Sequence, residues 1–188
     1  MGIFLTPDAA TLVQDLFGLD GGATPEIDSG MFDTLATTAD REGMAPRLYA
    51  LHGAPGRLPN EFRERLRRSA IESEALELQR RPALAELLDA LANRQIPALL
   101  MKGAALAYTL YPSPGLRPRS DTDILIPESA AAPARARLET LGFNLSESAG
   151  TTTLSYQFTA TRQLPGGSPD VVDVHHRLSN RAAFSRLF

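Results

Sequence analysis

The chain has 188 residues, 43% of them hydrophobic and 22% charged, with a formal net charge of −3. That length suits one domain, or one domain with a helical extension, and can bury a core without disulfides or metals. The absence of cysteine excludes a disulfide framework, a thiolate zinc site and a cysteine nucleophile together. The mild acidity argues against indiscriminate binding to nucleic acid, which relies on a large cationic surface.

The N-terminal stretch MGIFLTPDAATLVQ has neither the charged start nor the long apolar run of a signal peptide. Runs such as IPALLM are too short to cross a bilayer, so a soluble cytoplasmic protein is expected. Thr6-Pro7-Asp8 predicts a helix start, followed by Leu12, Val13, Leu16 and Phe17 at helical spacing and ended by Gly18 or Gly21-Gly22. Met31, Phe32, Leu35, Ala36 and Ala39 predict a second helix, and Leu48 and Leu51 a short third. From Asn60 to Arg94 the helical pattern is strongest, with Pro82 predicting a kink or a break into two helices. Its arginines, Arg80 among them, alternate with glutamates that include Glu77, which reads as a solvated mixed-charge face.

After Gln95 the texture becomes mixed, so an α+β fold is expected, with a helical region over 1–94 and an α/β core over 95–188. Ile96–Met101 suits a buried strand, and a helix follows from Gly103 to Leu110. The Pro-, Gly- and Arg-rich loop Tyr111–Ser120 leads into a strand over Asp121–Ile126, then an alanine-rich helix over Glu128–Leu141 stopped by Gly142. Leu154–Gln163 and Val171–Leu178 predict two further strands around a Pro-Gly-Gly-Ser-Pro turn.

Three segments carry residues suited to phosphoryl chemistry. In RSDTDILIP, strand alternation puts Asp121 and Asp123 on one face, with Cα atoms ~6–7 Å apart. Two such carboxylates can converge on divalent cations, and without a cation they repel each other. In PDVVDVHHRL the same alternation puts Asp173, His175 and Arg177 on one face and His176 on the other. A carboxylate flanked by valines needs a partner: Arg177 or a nearby arginine, or a metal site if its strand lies beside the Asp121–Asp123 strand. His175 then suits either a hydrogen-bonded structural residue or a substrate contact. Third, strand–Lys102–Gly103–helix places a cation and free backbone amides where a phosphate can sit, with a plain tight turn as the simpler reading. The Walker pattern is absent. Arg117 and Arg119, just before the carboxylates, are either their counterions or polyphosphate ligands.

Together these segments resemble the polymerase-β-like nucleotidyltransferase superfamily, and within it the branch described as uncharacterised nucleotidyltransferases. The matching elements are Met101-Lys102-Gly103, Tyr111-Pro112, Arg117, Asp121-Thr122-Asp123 and Asp173-Val174-His175. The resemblance implies a minimal nucleotidyltransferase fold, a mixed sheet flanked by helices behind an N-terminal helical region. It implies transfer of an NMP group from an NTP such as ATP to a small molecule, a peptide or protein, or an RNA end, with Mg²⁺ or Mn²⁺. By carry-over, Asp121, Asp123 and Asp173 bind the metals, Asp173 also helps activate the acceptor hydroxyl, and Lys102, Gly103 and Arg117 hold the triphosphate. Two departures stand out. Ala104 follows Gly103 where the superfamily commonly has Ser or Gly, and the chain stops ten residues after Leu178 where relatives usually continue, as in a small or truncated version. Both favour an alternative reading, a catalytically inactive nucleotide- or partner-binding module.

Overall fold

The computed structural model describes residues 29–147 and 156–177. The helix expected from Pro7, and the outer ends of the last two expected strands, lie outside these residues. The described chain divides into two compact units, residues 29–74 with 115–118, and residues 75–114 with 119–147 and 156–177. Among the described residues, no helix is long and apolar enough to cross a membrane.

In the first unit a 3₁₀ turn (Ser29–Met31) leads into α1 (Phe32–Arg41) and α2 (Ala45–His52), followed by the start of α3 (Asn60–Ala92). Leu35, Ala36, Ala39, Ala45, Leu48, Leu58, Phe62 and Leu66 form its core, and Phe32 stacks on Phe62 with ring centroids 6.0 Å apart. Arg65 pairs with Asp33 at 2.8 Å. Ser73 donates a 2.7 Å hydrogen bond to the carbonyl of Gly115.

Of the kink or break expected at Pro82, the break is absent: helix α3 runs through that residue for 33 residues. A proline inside a helix costs about 3 kcal/mol through the missing amide and a clash with the preceding turn. Burial on either side outweighs this cost: Phe62 and Leu66 before Pro82, and Leu87 and Leu91 after it, are each at most 1% exposed.

The second unit is a mixed five-stranded sheet backed by helices. Its elements are β1 (Leu99–Met101), α4 (Lys102–Leu110), β2 (Thr122–Leu125), α5 (Ala131–Thr140), β3 (Asn144–Glu147), β4 (Gln157–Gln163) and β5 (Pro169–His175). The spatial order is β1-β2-β5-β4-β3, with β2 and β5 parallel and the other neighbours antiparallel. β1 is shorter than the run from Ile96 predicted, as Pro97 has no amide to give to a ladder. β3 was not expected. It follows from Gly142, whose φ of 81° ends α5 and turns the chain so that Phe143 is buried.

One face of the sheet is the core. Ile124, Val174, Phe158, Val172 and Ala160 pack with Leu87, Leu91, Ile96, Ala134 and Leu138. At the far end of that face Arg162 pairs with Asp170 at 3.1 Å and Glu86 at 2.8 Å, and lies 4.4 Å from the Phe143 ring centre. This leaves the opposite face of the sheet for polar residues. Phe158→Ala removes a fully buried ring and should lower unfolding free energy by about 3–5 kcal/mol in a denaturant titration.

Candidate functional site

The site is built from that opposite face. Parallel pairing of β2 with β5 sets Asp123 directly opposite Asp173, and the neighbouring ladders add Met101 beside Asp123 and Thr159 beside Asp173. His175 follows two residues after Asp173, on the same face. Asp121 precedes β2 by one residue and shares the face of Asp123 by alternation. The strand adjacency on which a three-aspartate site depends is therefore present.

Like charges directly opposite each other destabilise a sheet, and a buried carboxylate requires partners. Asp123, with a side chain only 6% exposed, has two on the same oxygen: Lys102 Nζ at 2.7 Å and His175 Nε2 at 2.9 Å. A carboxylate only accepts, so Nε2 of His175 must carry a proton to donate to it. The 3.5 Å approach of Lys102 Nζ to the same nitrogen is then a contact between donors rather than a hydrogen bond. Asp173 accepts a 2.6 Å hydrogen bond from the Thr159 hydroxyl. Arg177, one expected partner for Asp173, is bound to Glu128 instead.

Lys102 is the only lysine in the sequence, against eighteen arginines. Its pKa is raised above the ordinary value, first by the hydrogen bond to Asp123, with Asp123, Asp121 and Asp173 adding Coulombic attraction and partial burial opposing them. One ammonium thus feels all three carboxylates, while its side chain remains 61% exposed. Gly103 falls within the helix expected to begin there, and the turn conformation belongs to the residue before it. Lys102 itself takes the left-handed conformation, φ 47°, and Gly103 lies in the first turn of α4. A non-glycine residue there is strained, and such strain clusters at functional sites. Ala104 is 1% exposed, so this position points into the interior.

Arg119 is placed differently from the expectation that it holds phosphate. Its side chain is 3% exposed, salt-bridged to Glu77 and 5.6 Å from the centre of the Tyr108 ring. Tyr108 donates its hydroxyl proton to the same Glu77. Arg80, also buried, donates to the backbone carbonyls of Arg119 and Ser120, the latter at 3.2 Å. Glu77 and Arg80 therefore leave the solvated stripe to which their charge assigned them. A signal for this was present: Glu77, Arg80, Leu84, Leu87 and Leu91 are spaced by three and four residues, which puts them on one helix face. Arg117 lies in the 115–118 segment of the first unit and is half-buried.

Among the described residues no three His, Asp or Glu side chains stand ready as a metal-ligand cluster. Asp123 is turned to Lys102 and His175, and Asp173 to Thr159. The donor chemistry nonetheless fits a hard divalent cation, with carboxylate oxygens on adjacent strands already gathered around a positive charge.

A mixed sheet with one apolar face and one acidic face, edged by a strand–Lys-Gly–helix junction, defines an α+β protein with a polar site on the sheet. The profile of a family described as uncharacterised nucleotidyltransferase matches residues 28–188, and the chain belongs to that family. Among curated proteins, none matches the chain.

Two titrations test this geometry. With a single lysine, ¹³C labelling of the side-chain amine gives one signal, which should titrate above 10.5 and move back towards 10.5 in Asp123→Asn. Because the folded value is raised, the ion pair's contribution to stability is complete below 10.5 and is lost as pH rises through the folded value. A signal at or below 10.5 in the parent would refute the ion pair. Tyr108 is pushed up from 10.0 to about 12, first by burial and then by its hydrogen bond to Glu77. Stability should therefore decline as pH rises from about 10 through about 12. Ultraviolet titration should show a late phenol ionisation that vanishes in Tyr108→Phe.

Proposed function

We propose that the protein transfers a nucleotidyl group from an NTP to an acceptor nucleophile, with release of pyrophosphate. The observation that carries this reading is the register of β2 and β5, which sets Asp123 opposite Asp173 with the Lys102 ammonium on the same face. In the transfer, an acceptor hydroxyl oxygen bonds to the α-phosphorus, the bond from that phosphorus to the pyrophosphate oxygen breaks, and the hydroxyl proton passes to Asp173. Such sites work mainly by positioning and charge neutralisation.

Asp121, Asp123 and Asp173 would hold Mg²⁺ or Mn²⁺, which supplies charge neutralisation at the phosphoryl oxygens. The remaining work falls to other groups in this chain. His175 orients Asp123 through its Nε2 proton. Lys102, exposed and flexible, exchanges a carboxylate partner for a phosphate oxygen, and the backbone amides from Gly103 onward at the start of α4 face the same anion. Arg119, committed to Glu77, is a structural counterion in this reading. The acceptor is a small molecule, a peptide or protein, or an RNA end.

A second reading, a nucleotide- or partner-binding module without catalysis, draws on the internal neutralisation of Asp123 and on Ala104, which brings no hydroxyl. One experiment separates the two. The protein is incubated with Mg²⁺ or Mn²⁺ and each α-³²P-labelled NTP, and label is followed into the protein and candidate acceptors. Transfer that falls at least about a hundredfold in Asp123→Asn, with near-ultraviolet circular dichroism unchanged, supports the enzyme. Nucleotide binding without transfer selects the binding module. Neither nucleotide binding nor a metal-dependent thermal shift would sink both.

A further inference from the structure

We infer that Arg80 is a positioning residue for Asp121, acting through the backbone of Arg119 and Ser120. The inference rests on the proposed function, since it concerns how the first of the three carboxylates is held towards a cation. Arg80 lies on α3 and is 8% exposed. Its guanidinium donates one hydrogen bond to the carbonyl of Arg119 and another, from Nη2 at 3.2 Å, to the carbonyl of Ser120. These are the two residues immediately before Asp121, in a stretch outside any strand. Two consecutive carbonyls gripped by one rigid planar fork fix the direction in which the chain enters β2, and so where the Asp121 carboxylate is presented.

The neighbouring groups reinforce this grip. Glu77, one turn earlier on α3, holds the Arg119 guanidinium and the Tyr108 hydroxyl. The segment is thus tied to α3 by backbone and by side chain. Burying Arg80 carries a cost. Burial and the adjacent Arg119 lower its pKa, while Glu77, Asp170 and Asp121 oppose that shift. An apolar side chain of similar volume commonly serves stability as well as a buried charge does. A cation spent on two carbonyls instead of a carboxylate is better explained by the geometry it imposes on the next residue.

The test uses the full chain and Mn²⁺ alone, with free metal followed by electron paramagnetic resonance and the fold by near-ultraviolet circular dichroism. Arg80→Lys keeps the charge but replaces the rigid two-nitrogen fork by one nitrogen on a flexible stem. It should weaken Mn²⁺ binding by about 10–100-fold, the usual effect of losing a group that orients a ligand. In an Asp121→Asn background the same change should have no further effect, because the carboxylate it orients is gone. A purely structural role lowers thermal stability and leaves the affinity of the folded fraction unchanged. Affinity within twofold of the parent, or an equal loss in both backgrounds, overturns the inference while leaving the proposed function standing. A parent that binds no Mn²⁺, with Asp123→Asn indistinguishable from it, removes the metal reading and this inference with it. Should Arg80→Lys not fold, Arg80→Gln retains one amide donor without the buried charge and is measured in the same way. Failure of both to fold assigns Arg80 to structure alone.

Discussion

Two aspartates set opposite each other on neighbouring parallel strands repel, and the fold has to absorb that repulsion. Here it does so with three different groups. Lys102 brings a full charge from the end of β1, His175 brings a donated proton from the same strand as Asp173, and Thr159 brings a neutral hydroxyl from β4. The partners come from two strands, β4 and β5, and from the first residue of α4, so the acidic row depends on the sheet and on the β1–α4 junction together. Removing any one partner leaves a carboxylate with less compensation.

The two faces of the sheet follow from a single alternation. Ile124, Val172 and Val174 face the apolar core because Asp123, Asp173 and His175 are one residue out of phase with them. A one-residue slip between β2 and β5 would turn the carboxylates into the core, so the core enforces the register that the site needs. Helix α3 serves both ends of this arrangement. Leu87 and Leu91 seal the apolar face, while Glu77 and Arg80, earlier on the same helix, hold the segment that leads into β2.

Much of this was legible in the sequence where the information is local. The Asp-x-Asp and Asp-x-His segments each indicate side-chain direction through a two-residue period, the helices over 32–41 and 60–92 follow from apolar spacing, and that over 131–140 from its alanine content. What was not legible depends on partners distant along the chain. Strand periodicity cannot say that β5 lies beside β2, 50 residues away by the Asp123–Asp173 pairing, and only the family resemblance suggested it. The charge alternation on α3 concealed Glu77 and Arg80, as a mixed-charge run looks solvated until the spacing to Leu84 and Leu87 is followed. At Pro82 the sequence does not choose between a kink and a break, because the burial on both sides that keeps the helix continuous is tertiary. Edge strand β3, with the sequence Asn-Leu-Ser-Glu, has too little apolar character to stand out, and Gly142 was read as a stop without the strand that follows it.

A chain with eighteen arginines and one lysine has, apart from its N-terminus, a single aliphatic amine. Arginine stays charged and resists acylation, whereas an amine attacks electrophiles once it loses its proton. The ion pair with Asp123 raises that amine's pKa and so lowers the share of it in the reactive neutral form. Anything that takes Asp123 away from Lys102 changes that protection at one identifiable atom. Acylation at that one side chain, read on its own peptide and against time, is therefore a covalent reporter of the Lys102–Asp123 pair.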